Sequence, residues 1–237
     1  MLLGSPKSIA AAEQYSVRVM INSVDIERVK EARNLGVILD EHLRFERHIN
    51  NIISKCFYRL KMLYRIRRYL TTELRVTLCE ALVLSKLNYS DSLYGPRLLY
   101  KTKCSIQRVQ NACARYCWNI PPREHVSPYL REAKILNMEA RRRLHLGILL
   151  FGIVNFKTPQ YLYTKLEWLG QHNLNIKTRS ALQVMSVPRH HTTAFRGGFR
   201  YNATKCWNDI PPPLKQIKSI SNFRLKYKKH IFETLHY

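Results

Sequence analysis

From Glu46 onward, apolar residues recur at three- and four-residue spacing: Ile49, Ile52, Ile53, Cys56, Leu60, Leu63 and Tyr64. That period places them on one stripe of a long helix running toward Leu70. Lys55, Arg59, Lys61, Arg65 and Arg68 fall away from the stripe, whereas Arg67 lies on it, so the buried face is expected to end near Tyr64. Asp40 reads as the N-cap region, with Glu41 and Glu46 near the end where the helix dipole favours anions. Just before it, the short apolar run Leu35-Gly36-Val37-Ile38-Leu39-Asp40 predicts a buried strand.

Further helices follow from the same reading. Thr71 or Thr72 caps one through about Leu87, with Leu74, Leu78, Leu82 and Ser85 on one face, and Asn88 to Gly95 breaks it. Another covers Tyr100 to Trp118, with Ile106, Val109, Cys113, Tyr116 and Cys117 as its apolar stripe, until Pro121-Pro122 ends it. Ser127-Pro128 opens a short helix as cap and first-turn proline. Met138 to Phe156 is a longer one, and Pro159 restarts a short one through Leu166. Residues 170–198 lack periodicity and predict a long loop, a domain boundary or a mobile segment. Tyr201 to Trp207 is a helical turn, and Ser221 caps a last helix with Phe223, Tyr227, Ile231 and Phe232 inward. At the other end, Leu2-Leu3 followed by Gly4-Ser5-Pro6 reads as a cut-off strand entering a turn. Val17 to Ile21, Val24 to Val29 and Leu35 to Leu39 predict a small sheet of three short strands, marginal without helices to cover it. The expectation is a mainly α protein, a helical bundle with a small antiparallel β-hairpin or sheet at its N-terminus. It divides into 1–42, 43–169 and 170–237.

Charge changes this picture from architecture to partner. The 237 residues carry 40 Lys+Arg against 16 Asp+Glu, a net charge of +24. Such an excess calls for an anionic partner, nucleic acid or an anionic membrane. The longest apolar run, Leu146 to Val154, is too short to span a bilayer and carries Gly147 and Gly152, so no membrane partner is expected. The cysteines, 56, 79, 104, 113, 117 and 206, sit mostly in apolar segments rather than in a dense disulfide framework. With no signal-peptide pattern at Met1, an intracellular setting, nuclear or cytoplasmic, is expected. Cys104, Cys113, Cys117 and His125 fit no common zinc spacing, and core packing is favoured for the cysteines. His190-His191 beside Arg189 and Arg196 is a basic loop, open to a phosphate contact or to plain solvation. Gly197-Gly198 lacks a phosphate-loop context. Neither catalytic group, metal site nor cofactor site is expected. The basic faces carry the functional signal: Lys55, Arg59, Lys61, Arg65 and Arg68, joined by Arg108 and Arg115. Phosphate contacts from such residues are sequence-independent and salt-sensitive. Tyr58 and Tyr64 are interleaved, but Tyr64 lies on the apolar stripe, so backbone contacts are favoured over base stacking.

Leu35-Gly36-Val37-Ile38-Leu39-Asp40, followed by His48-Ile49, resembles the end of the polymerase palm in reverse transcriptases of LINE-type (non-LTR) retrotransposons, jockey-like elements in particular. In that family a hairpin, here Val17 to Val29, leads to a Leu-Gly-containing primer-grip strand and then to the thumb. The resemblance continues through Ala81 to Tyr89, Tyr94-Gly95, Ile106 to Arg115, and Trp207-Asn208-Asp209-Ile210-Pro211 with Leu214, Ser221 and Phe223, so four pieces stand in the family's order. It implies a palm end with Leu35 and Gly36 in the primer grip, a thumb-like helical domain and a tail, holding an RNA–DNA or DNA duplex by its backbone. The family's catalytic aspartates lie upstream of the primer grip. The aspartates present, Asp25, Asp40, Asp91 and Asp209, are isolated, and two-metal phosphoryl transfer needs clustered carboxylates. Polymerase chemistry is therefore not expected of this chain alone. Two other expectations stand beside nucleic-acid binding: a protein-interaction subunit that docks on a separately encoded palm domain, and a retroelement relic without function.

Overall fold

The computed structural model describes residues 1–15, 18–172 and 184–235. Its first element is α1 (Pro6–Gln14), where Ser5 Oγ accepts the Ser8 N–H at 3.1 Å and Pro6 occupies the first turn. Ser5-Pro6 thus starts a helix where a turn out of a strand at Leu2-Leu3 was expected; proline's fixed φ and missing N–H suit that position. Two hairpins follow. β1 (Met20–Ile21) pairs antiparallel with β2 (Val24–Asp25), and β3 (Glu31–Asn34) with β4 (Val37–Asp40). They form two separate two-stranded sheets instead of the expected three-stranded one. The reason lies at Leu35 and Gly36, whose φ values of 45° and 84° are both positive. They are the central pair of a tight hairpin turn closed by Asn34 and Val37. Leu35 is therefore an exposed turn residue, 85% accessible, and the buried residue of this strand is Val37. The expected strand start at Val17 lies outside the described residues.

Asp40 organises the entry into α2 (Glu46–Ile66) without being its N-cap. Its carboxylate accepts the backbone N–H groups of His42, Arg44 and Phe45, at 3.1, 3.0 and 2.6 Å. One helical turn on, His48 Nδ1 accepts the Ile38 N–H at 3.3 Å and its ring stands edge-on to Tyr94. Burial above all, with Arg33 and Lys55 nearby, holds this imidazole's pKa below the usual histidine value, consistent with a ring that must stay neutral to accept. Along α2, Ile49, Cys56, Leu60 and Leu63 are buried as the stripe requires. Tyr64 is not core: it is 46% exposed and closes the edge of the stripe against Tyr116.

A 3-10 turn (Arg67–Tyr69) leads to α3 (Thr72–Leu78), a π-helical segment (Cys79–Leu84) and α4 (Ser85–Asn88). Thr71 caps this run through the Leu74 N–H. Its buried residues are Cys79, Val83, Leu84 and Leu87, whereas Leu74 and Leu82 of the expected face are exposed. The run is apolar on both sides, and α2 together with α6 (Tyr100–Trp118) presses on the side bearing Cys and Val. The π-helical turn presents two carbonyls to α2: Leu82 O accepts from Arg59 at 3.0 Å and Val83 O from the Cys56 thiol at 3.4 Å. Between these helices, α5 (Asp91–Tyr94) brings the wholly buried Tyr94 into the same core.

After α7 (Ser127–Glu132), the third long helix α8 (Met138–Phe156) starts at Asn137, whose side chain accepts the Ala140 N–H. Around α8 a second apolar cluster gathers α12 (Phe199–Asn208) and α14 (Ile220–Glu233). Phe151, Phe223 and Tyr227 stack in it, with ring centroids 4.2 and 5.2 Å apart. Gly147 admits Tyr227; a Cβ there would lie 2.3 Å from the ring. The short helices α9 (Gln160–Tyr163), α10 (Leu169–His172), α11 (Thr193–Arg196) and α13 (Pro212–Lys215) complete the outline. Residues 170–198 are therefore not all loop. Met185 is fully buried, bridges to Trp168, and exchanges two 2.9 Å backbone bonds with the Asn208 amide; residues 173–183 lie outside the described set. Ser219, not Ser221, precedes the last helix.

Candidate nucleic-acid interface

Residues 47–72 contain seven Lys and Arg side chains and no Asp or Glu. The fold divides these cations by task. Arg47 pairs with Glu31 across to β3. Arg59 is tied to the Leu82 carbonyl. Arg67 turns inward, its Nε donating to Tyr116 O at 2.9 Å and its guanidinium lying over the Tyr64 and Tyr116 rings. Lys55, Lys61, Arg65 and Arg68 remain exposed, with Arg68 laid over the ring of Tyr69. Asn51, Ser54, Tyr58, Lys61 and Arg65 follow one another at three- and four-residue steps and are all exposed. They form a single solvent ridge along α2, and Tyr58 is 65% accessible on it.

The remaining candidates sit elsewhere. Arg108 is exposed on α6. However, α2 and α6 meet through their apolar stripes, so their basic faces point away from the contact and from each other. Arg115 donates to the carbonyls of Pro121 and Glu124 and fastens the turn after α6. Leu35 and Gly36 lie at the other end of α2 from Arg65, about 30 Å of helix away. Their turn is held by the Tyr89 hydroxyl, which donates to Leu35 O at 2.7 Å. Lys55, Lys61, Arg65 and Arg68 therefore stand apart from Arg108 and Arg115.

The other reactive side chains are engaged in the scaffold. Asp91 is buried, with Oδ2 2.5 Å from His145 Nδ1, and Asp209 faces Arg143 at 3.9 Å. Asp40 holds its loop and Asp25 is exposed on β2. Cys79, Cys113 and Cys117 meet inside the first core. Hydrogen bonding to Cys113 leads the causes that raise the Cys79 thiol, and hydrogen bonding to Cys79 followed by burial raises Cys117, so both stay protonated and inert. Burial pushes Cys56 up to about 11. Among the described residues, no three or more His, Cys, Asp or Glu side chains are grouped to hold a metal ion.

Sequence reasoning missed the amide cluster on α6. Gln107 Nε2 donates to Gln110 and Asn111, Gln110 Nε2 donates to Leu136 O at 2.8 Å, and Gln107 Oε1 accepts the Met138 N–H at 3.0 Å. These bonds fix where α8 begins. Two uncharged glutamines at three-residue spacing were the sequence signal. Among the described residues no helix is long and apolar enough to cross a membrane. No protein-family model, curated protein or solved structure matches the chain.

Proposed function

We propose that this protein is a nucleic-acid-binding module of reverse-transcriptase origin, the palm end, thumb and tail of a jockey-like LINE polymerase, which grips a duplex by its phosphates and does no polymerase chemistry alone. The observation that carries the reading is the basic surface of α2 and the turn after it: Lys55, Lys61, Arg65 and Arg68 are exposed, on a stretch without a single carboxylate. Cations in a row without acidic neighbours attract phosphates through released counterions and read no sequence. Tyr58, exposed among them, adds a ring for sugar or base contact. The test is binding of a labelled RNA–DNA duplex across a salt series. Affinity falls steeply as salt rises; a flat response removes the mechanism. Primer extension by the purified chain would overturn the absence of catalysis.

A second reading has its own observation. Val19, Met20, Ile21, Val24 and Ile26 are exposed on both strands of the first hairpin, Val24 at 67%. Apolar surface so concentrated marks a protein contact, in this reading with a separately encoded palm domain. Co-purification of such a partner that survives nuclease and high salt favours docking over nucleic-acid binding.

A further inference from the structure

Between α6 and the start of α8 runs a polar cleft of about 510 Å³, and a second of about 270 Å³ opens on the far side of the same helix start. They share Lys103, Glu139 and Arg142 as a common wall. Arg142 is only 9% exposed. Its stem lies against Gly95, where a Cβ would approach to 2.9 Å, so the absence of a side chain at that position seats it. Yet among the described residues its guanidinium donates no hydrogen bond and has no carboxylate within ion-pair distance. Its neighbours in sequence do: Arg141 makes a bidentate pair with Glu80, and Arg143 faces Asp209. A buried charge without a hydrogen-bonded partner is costly, and burial holds its pKa below the ordinary arginine value. Glu139, Tyr94 and Asp91 offset part of that cost through longer-range attraction, without a hydrogen bond.

The larger cleft supplies what a ligand would need. Lys103, Arg115, Arg123 and Arg142 line it against Glu124 and Glu139, and Lys103 already neutralises Glu139 at 3.6 Å. Arg115 is pre-oriented by its two carbonyl bonds. Tyr100, 83% exposed, stands at the edge. The positive end of a 19-residue helix faces the same space, although two of its first N–H groups are taken by Gln107 and Asn137.

We propose that this cleft binds a phosphate group, carried by a nucleotide or by the end of a strand, with Arg142 as its buried anchor and Arg123 and Lys103 at its rim. The site lies on α6 and α8 and does not rest on the α2 ridge, so either can fail alone.

Thermal melting of the full chain at constant ionic strength tests it, with inorganic phosphate, ATP, and a short oligonucleotide with or without a 5′-phosphate. Wild type melts higher with phosphate. A larger rise with ATP assigns a nucleotide, and one that needs the 5′-phosphate assigns a strand end. Arg142→Met removes a largely buried charge that makes no hydrogen bond among the described residues, and loses the phosphate-induced rise, a tenfold or greater drop in affinity. Arg123→Gln, at the exposed rim, weakens the same rise and keeps the test decisive whatever Arg142→Met does to folding. Lys61→Gln with Arg65→Gln leaves the rise intact. No rise with any of the ligands, or a rise that both the Arg142 and Arg123 variants share in full, overturns the site.

Discussion

Neutralising two ridge residues, Lys61→Gln with Arg65→Gln, separates a phosphate-gripping helix from a merely basic protein. Among the described residues neither side chain has a partner, and both are exposed, so folding stability should change by less than about 0.5 kcal/mol. With Lys55, Lys61, Arg65 and Arg68 each on one phosphate, log affinity falls against log salt with a slope of about −3.6, and of about −1.8 once two contacts are gone. Between about 50 and 200 mM salt, affinity then drops about 150-fold for wild type and only about 12-fold for the double variant. Fluorescence anisotropy of a labelled RNA–DNA duplex over that range reads both slopes, with a urea melt of each protein alongside. The control removes equal charge from α14, Lys226→Gln with Lys228→Gln, whose residues are as exposed. Equal slopes for wild type and the ridge variant, or an equal loss from the α14 control, would refute the ridge as the grip.

The neutral state of His48 makes stability pH-dependent. Its folded pKa lies below the unfolded value, so above about 6.5 neither state gains a proton, and below it the unfolded chain takes up one that the folded chain refuses. The urea midpoint should therefore fall between about pH 7.5 and 5.5, and less so in His48→Asn, which keeps an acceptor for Ile38 without titrating. Two glycines of α8 predict opposite signs. Gly147→Ala drives a methyl into Tyr227 and costs about 1–3 kcal/mol, whereas Gly152→Ala meets nothing within 4 Å and gains about 0.5–1 kcal/mol of helix propensity; calorimetry of both settles it. Leu35→Asn relieves a left-handed leucine and should raise stability by about 1 kcal/mol in urea titration. If Leu35 is part of a grip, the same change weakens duplex binding.

Two long helices were legible: 100–118 folds with the bounds its apolar stripe predicts, and 138–156 with the bounds expected of it. Legibility ended where two answers fit one sequence. The 72–88 run offers Leu74, Leu78, Leu82 and Ser85 on one side and Val76, Cys79, Val83 and Leu87 on the other, and only the positions of α2 and α6 choose between them. Leu35 misled because a leucine in a turn with positive φ goes against its own propensity. At the candidate interface, spacing alone placed Lys55, Lys61 and Arg65 outside the stripe. It did not reveal that Arg59 and Arg115 spend donors on the carbonyls of Leu82, Pro121 and Glu124, since those partners are set by tertiary packing. Arg141, Arg142 and Arg143 are consecutive in sequence, yet they go to Glu80, to a buried wall between clefts, and to Asp209.

Several side chains tie separate segments of the fold together. Tyr89 holds Leu35, His48 takes the Ile38 N–H, the Tyr94 hydroxyl donates to Leu87 O, Gln110 and Gln107 fix Leu136 and Met138, and Asn208 embraces Met185. Each joins segments distant in sequence or closes a turn, so these positions specify a scaffold, while Lys61 and Arg65 lie outside all of them. Scaffold and grip should therefore come apart by mutation. Tyr89→Phe deletes one hydroxyl from a partly exposed bond and costs about 1 kcal/mol, leaving the salt slope of duplex binding at its wild-type value. The ridge double variant does the reverse, sparing stability and flattening the slope. Stopped-flow unfolding and anisotropy on the same two proteins read this double dissociation. A Tyr89 variant that flattened the slope as much as the ridge variant would mean that the duplex reaches the Leu35 turn, and that the grip extends over the hairpin as well as the helix.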